Sequence, residues 1–251
     1  MKIGLRGGHS SKVKGAVGIV DEYNEMQTFY KYVSELLSSY GHTVVNCNSN
    51  GATEGAELSE GAAKANNANV DLFISLHMNA FDGSAYGTEC VISSQNSGSY
   101  KYAKKICENF ESLGFRNRGV KCSPTKYEMK NIKAPNIIFE ICFCDSKKDI
   151  DIYNKYSWKQ LSYKLCNAID ENIPSEPVEE NKEYIVTKYL PHAYKGYDGV
   201  DIREILNKYF DGVKCYVRGD KNGVWIETEY LSLDKCNTLK NNLVEYCYKV
   251  N

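Results

Sequence analysis

The sequence predicts an α/β protein: an open, mostly parallel sheet flanked by helices, followed by a small α+β domain. Three observations carry this. The runs 71–80 and 136–143 are almost uninterruptedly apolar, as strands covered on both faces are. Around them, strand-like segments alternate with amphipathic helical ones, the pattern of a parallel sheet. The third is the stretch Pro174-Ser175-Glu176-Pro177-Val178-Glu179-Glu180, two prolines, a serine and three acids without apolar periodicity, which reads as a linker. The expected organisation is a domain at 1–173, a linker at 174–182 and a second domain at 183–251.

Taken in order, 2–6 is a short strand that ends in Gly7-Gly8-His9. The glycines let the backbone turn tightly and leave His9 just past the strand's carboxyl end. Residues 21–37 carry a helical pattern through Met26, Phe29, Tyr30, Val33, Leu36 and Leu37. Glu22 therefore stands at a helix N-terminus, where an acid is expected for the dipole alone and where a carboxylate ligand would also be well placed. Strand 43–47 follows, with His42 a turn residue of no chemical role, and then an alanine-rich helix at 57–67. The run 71–80 closes in His77, Met78 and Asn79, at the end of a strand where α/β sheets bind ligands. A histidine in that place is, by itself, more often an ordinary hydrogen-bonded residue.

Strand 88–93 and helix 99–113 come next, the helix with Tyr102, Ala103, Ile106, Phe110 and Leu113 on one face. A short basic stretch at 116–122 and an extended segment at 127–132 lead into the second apolar run. Glu140 interrupts that run, and an ionised carboxylate there is expensive unless it is paired or faces a cleft. Structure alone explains it least of any residue in the chain. Helices at 147–155 and 158–172 close the first domain.

The second domain reads as strand 183–189, helix 200–210, strands 213–217 and 223–228, helix 232–243 and strand 246–250. The middle strands join through the turn 218–223, and the β-α-β-β-α-β order is that of the ferredoxin-like split motif. It carries nine of the twenty tyrosines and Trp225. Aromatic rings beside lysines suit a sugar-binding surface and equally the packing of a small core.

The formal net charge of −1 over 251 residues argues against nucleic acid or an anionic membrane as the main partner. The N-terminal residues have no signal-peptide h-region and no apolar stretch approaches a membrane span, so the expectation is synthesis in the cytosol. Ten cysteines diluted over this length read as reduced thiols. Cys142-Phe143-Cys144 lacks the spacing and second pair of a zinc knuckle and is expected to pack as small apolar residues.

His9, Glu22, His77 and Glu140 come from separate strand ends and one helix start, which an α/β sheet would bring to a common edge. Two imidazoles and a carboxylate are the ligand set of a catalytic zinc with one position open to water, and Glu140 would stand beside that water. With Gly-Gly-His at 7–9, Glu22 followed by Asn24, Leu-Phe-Ile-Ser-Leu-His-Met-Asn-Ala at 72–80, Gly87-Thr88-Glu89, Arg118-Gly119-Val120-Lys121 and the run closing at Glu140, the chain resembles the zinc-dependent N-acetylmuramoyl-L-alanine amidases of the type 3 family over nearly all of residues 1–172. The opening Arg6-Gly7-Gly8-His9 departs from that family's Asp-Pro-Gly-His, and Lys64 stands where the family often has an arginine nearby; neither position is expected to touch a ligand.

The resemblance implies hydrolysis of the amide between N-acetylmuramic acid and the L-alanine of the peptidoglycan stem, with zinc held by His9, Glu22 and His77 and with Glu140 as the catalytic acid and base. Asn79 and Arg118 would contact substrate. By position and size the second domain is similar to the cell-wall-binding domain of a clostridial-type phage endolysin, and its element order is similar to that of glycan-binding SPOR domains. That implies a wall polymer as partner, with Tyr194, Tyr197, Tyr216 and Trp225 as contact candidates, and it leaves self-association through this domain open. An endolysin of this kind accumulates in the host cytoplasm until a holin releases it to the wall. Two alternatives stand beside this reading: a zinc carboxypeptidase acting within the stem peptide, and a wall-binding protein that has lost its chemistry.

Overall fold

The computed structural model describes residues 1–177, 182–190, 201–243 and 246–250. The chain divides into two compact units, Met1–Pro177 and Val178–Asn251.

The first unit runs β1 (Lys2–Arg6), α1 (Glu22–Ser39), β2 (Thr43–Asn46), α2 (Glu54–Ala68), β3 (Leu72–Asn79), β4 (Thr88–Ile92), α3 (Tyr100–Glu111), β5 (Asn117–Cys122), α4 (Tyr127–Asn131), β6 (Asn136–Phe143), α5 (Lys147–Tyr153) and α6 (Trp158–Ile169). Its sheet has the order β2-β1-β3-β6-β4-β5. All neighbours are parallel except β4 and β6, which are antiparallel. The two apolar runs, β3 and β6, lie side by side at its centre.

Alternation along β3 sends Leu72, Ile74, Leu76 and Met78 into the main core, while Phe73 joins Ala62, Ala65 and Ile132 in a smaller one on the opposite face. By the same parity Ser75 and His77 share the second face. Helices α1, α3 and α6 pack around the main core, and α2 packs with α4.

Helix α2 begins a turn earlier than the alanine pattern indicates because the Thr53 side chain accepts the Ala56 N–H and caps it. Residues 127–131, expected to be extended, form the short helix α4, on which Glu128 and Met129 are buried. Glu128, Met129 and Lys130 are good helix formers, and Glu128 is held by its buried pairing with Arg6. The basic stretch at 116–122 supplies the edge strand β5.

The second unit contains β7 (Lys182–Glu183), β8 (Ile185–Thr187), α7 (Ile202–Tyr209), β9 (Cys215–Asp220), β10 (Gly223–Thr228), β11 (Leu231–Ser232), α8 (Leu233–Leu243) and β12 (Cys247–Val250). Four strands form an antiparallel sheet in the order β12-β8-β10-β9, and β7 pairs with β11. The turn expected at 218–223 is shorter: Arg218, Gly219 and Asp220 pair with Trp225, Val224 and Gly223, so Lys221 and Asn222 alone make the connection. Ile185, Leu190, Phe210, Ile226, Leu231, Cys236, Leu239 and Leu243 form its core.

The described cysteines are free thiols, and Cys142 and Cys144 are buried. Burial pushes the Cys47 and Cys144 thiols up to about 11, which keeps them protonated and unreactive. No helix among the described residues is long and apolar enough to cross a membrane.

Candidate metal centre

Strand β1 delivers His9 through a tight turn. Gly8 adopts φ +60°, and a Cβ there would run into the Leu76 carbonyl and lie 3.0 Å from His77 Cε1, so only glycine lets the two strand ends approach this closely. His9 itself has φ +44°, a left-handed conformation uncommon outside glycine. Glu22 is the first residue of α1, whose N-cap Asp21 accepts the Asn24 N–H at 3.0 Å. His77 is two residues from the end of β3.

These three side chains converge. Glu22 Oε1 lies 2.9 Å from His77 Nδ1, and Glu22 Oε2 lies 3.2 Å from His9 Nε2. One ligand atom from each residue falls within 4.8 Å of the others. The Met78 N–H donates to Glu22 Oε1 at 3.0 Å and the Ala16 N–H to Oε2 at 2.8 Å, which fixes the carboxylate between the imidazoles. Gly15 faces the cluster with no side chain, and a Cβ there would run into His9 Nε2 and Glu22 Oε2. The donor set and this cradle both fit a zinc ion with an open position.

Around this set lies a shell of orienting groups. Ser75 Oγ is 3.0 Å from His77 Nε2, which turns Nδ1 toward Glu22. Glu57 Oε1 is 3.7 Å from His9 Nδ1 and 3.1 Å from Arg6 Nη2, while Arg6 Nη1 donates to Glu128 Oε1 at 3.2 Å. Arg6 thus touches none of the three directly, in keeping with the expectation, but its buried guanidinium reaches His9 through a single carboxylate. Lys64 donates instead to the Asn48 carbonyl. His42 sits in its turn and pairs with Asp170 at 3.0 Å.

The electrostatics follow from these neighbours. Burial works against ionised Glu22, but hydrogen bonds from His77 and His9 outweigh it and hold the carboxyl well below the usual range. Burial likewise opposes charge on His77, and Glu22 with Glu140 more than compensates, raising it. In Glu57, burial prevails over Arg6 and His9, and its carboxyl is raised.

Glu140 pairs in register with His77 on one side and with Glu89 on the other. Its Oε2 is buried without a hydrogen-bond partner among the described residues. Burial, with Glu22 and Glu89 adding to it, pushes the carboxyl up to about 7 against the opposing pull of His77 and Lys126. Such a group exchanges protons near neutrality.

Glu89 is itself engaged. Arg118 Nε donates to Glu89 Oε2 at 2.6 Å, and Asn79 Nδ2 donates to Oε1 at 3.2 Å. Asn79 and Arg118 thus meet at one carboxylate beside Glu140. Asp145, just beyond β6, accepts the Phe81 and Gly83 N–H groups at 3.0 and 3.1 Å and braces the loop after β3.

Glu57 is not singled out by the sequence, and Glu89 and Ser75 stand there only within motifs, with no role assigned. Glu89 had a signal of the same kind as Glu140, an acid inside a strand. Glu57 looks like any first-turn helical acid.

In the second unit, Tyr216 lies half-exposed on β9 with Lys214 and Arg218 over its ring, 5.5 and 5.3 Å from the centroid. Trp225 on β10 donates to Glu227 Oε1 at 2.9 Å and meets the Tyr189 ring edge-on. Tyr194 and Tyr197 lie outside the described residues.

Residues 3–171 match the family described as N-acetylmuramoyl-L-alanine amidase. An uncharacterized protein of Clostridium perfringens (strain 13 / Type A) is 35% identical over 185 residues, covering 72% of this chain and 54% of that relative. The endolysin of Bacillus phage SPP1 is 27% identical over 161 residues, covering 61% of this chain and 59% of the relative. Among solved structures, the catalytic domain of CD27L endolysin targeting Clostridia Difficile superposes with a TM-score of 0.63 at 28% identity, over 69% of this chain and 98% of that one. The chain spans little more than half the length of the clostridial relatives it matches, 54% and 59%.

Proposed function

The chain belongs, through residues 3–171, to the N-acetylmuramoyl-L-alanine amidase family, and from that premise we propose that it is a zinc-dependent endolysin that hydrolyses the amide joining N-acetylmuramic acid to the L-alanine of the peptidoglycan stem. The observation that carries this reading is the convergence of His9, Glu22 and His77 beside the unpartnered Oε2 of Glu140.

His9, Glu22 and His77 would hold zinc. Bound there, zinc would polarise the scissile carbonyl and bring the ionisation of water toward ~7. Glu140 accepts the proton of the attacking water at Oε2 and passes it to the alanine nitrogen as the C–N bond breaks. The water oxygen ends on the muramoyl carboxyl, and the alanine leaves as a free amine. Ser75 keeps the His77 imidazole turned inward, Glu57 lies near the outer face of His9, and Asn79 and Arg118 line the substrate side.

Residues 183–251, following a linker at 174–182, would hold the enzyme on a wall polymer and raise its effective concentration there. Exposed Tyr216 and its flanking cations support that role. The endolysin among the relatives supports action on the wall after release from a phage-infected cell.

Mass spectrometry of fragments released from purified walls tests the bond. New alanine N-termini with muramic acid left on the glycan are expected. Cuts confined to peptide–peptide bonds would show a carboxypeptidase or endopeptidase instead.

A further inference from the structure

Pairing across the sheet sets His77, Glu140 and Glu89 side by side on β3, β6 and β4. Residues opposite one another on neighbouring strands share a face, so these side chains form one row from the metal-ligand cluster outward. The next strand in the row is β5, whose register against β4 shifts between Thr88↔Asn117 and Glu89↔Gly119. Arg118 is the residue left over by that shift, and such an irregularity re-aims a side chain.

Arg118 is turned toward the row. Its Nε donates to Glu89 at 2.6 Å, and the guanidinium lies over the Phe143 ring, 4.9 Å from the centroid. Glu89 therefore grips one edge of the fork, and no described residue hydrogen-bonds its two Nη groups. The side chain remains 29% exposed, against 10% for Glu89. A guanidinium held in plane, with two parallel donors free, is the geometry that accepts a carboxylate bidentately.

The spacing indicates where that carboxylate sits on a substrate. Two strand intervals separate β6 from β5, about 10 Å in all. The Arg118 side chain reaches back over β4 to Glu89, one strand interval of about 5 Å from Glu140; an extended peptide advances about 3.3–3.6 Å per residue, so the guanidinium lies one to two residues from a bond held at Glu140. Resting on the amidase reading, we propose that Arg118 anchors a subsite for the free α-carboxylate of the residue that follows L-alanine in the stem, with Glu89 as the positioning residue that presents its Nη edge.

The test uses the full 251-residue chain and two synthetic N-acetylmuramoyl tripeptides, L-alanyl-γ-D-glutamyl-L-lysine amide. They are identical except that the glutamyl α-carboxyl is free in one and a carboxamide in the other. Wild type is expected to favour the free acid by about 10–100-fold in kcat/KM, chiefly through KM, the range for a charge-assisted hydrogen-bonded pair. Arg118→Gln brings the ratio to about one, and Arg118→Lys, which keeps the charge and loses the fork, falls between. Equal cleavage of both by wild type, or preference for the carboxamide, overturns the subsite and leaves the amidase reading standing. Cleavage of neither overturns the amidase reading and the subsite with it.

Discussion

In the first unit Arg6, Glu22, Glu57 and Glu128 are each at most 3% exposed, whereas among the described residues of the second unit the buried polar side chains are the hydroxyl-bearing Thr187 and Thr228. The described charged groups of the second unit stay at least partly in water, as the Arg218–Glu227 pair does with its arginine 53% exposed. Removing a charge from water costs several kcal/mol unless partners compensate. The first unit accepts that cost where the buried charges pair with, or lie next to, the imidazoles and Glu140. Among its described residues the second sets Lys214 and Arg218 beside the Tyr216 ring at the surface.

The sharpest way to break this contrast is to remove a buried ligand. His77→Ala should lose bound zinc, measured by elemental analysis, and lower the clearing of purified walls by at least ~10³-fold, as expected if Lewis-acid stabilisation worth several kcal/mol disappears. Retained zinc would remove His77 from the metal site.

The buried ion cluster comes next. Glu128→Ala leaves the buried guanidinium of Arg6 without one of its two carboxylates. The loss should be about 3–5 kcal/mol, or a Tm lower on the order of 10 °C by calorimetry. A change under 1 kcal/mol would mean that water reaches Arg6.

A smaller effect concerns pH. Burial raises the Glu140 carboxyl from its ordinary value to about 7 in the metal-free protein. With the folded pKa above the unfolded one, its contribution to stability is fully present below pH ~4.3 and is lost as pH rises through about 7. Metal-free Glu140→Gln should therefore gain on wild type by about 3 kcal/mol between pH 4 and pH 8. Denaturant titrations at the two pH values measure this; a gap that closes with rising pH would show that Glu140 is stabilised as its anion.

The smallest effect belongs to the second unit. Arg218→Ala removes an exposed pair with Glu227 and should change stability by no more than ~1 kcal/mol. A larger loss in the same titration would show that surface charges support this unit as buried ones support the first.

How much of this was legible in sequence depends on the range of the signal. The runs holding β3 and β6 announce themselves because strands covered on both faces need apolar residues on both. Against that background His77 and Glu140 stand out. Their neighbourhood to His9 and Glu22 follows from the habit of parallel strands to end at one edge. Nothing local announces that Arg6 meets Glu128, 122 residues away. Arg118 was visible as a basic residue in a motif, but its hold on Glu89 depends on a register shift between β4 and β5 that sequence periodicity does not encode.

The proposed chemistry divides the labour: His9, Glu22 and His77 would hold the metal, while Glu140 would move the proton. Glu140→Gln separates the two most directly, with bound zinc and wall lysis measured on the same preparation. The account predicts zinc retained at the wild-type level and lysis lowered by about 10²–10⁴-fold, the usual contribution of a general acid and base. Lysis at the wild-type rate, or zinc lost along with the carboxylate, would contradict it.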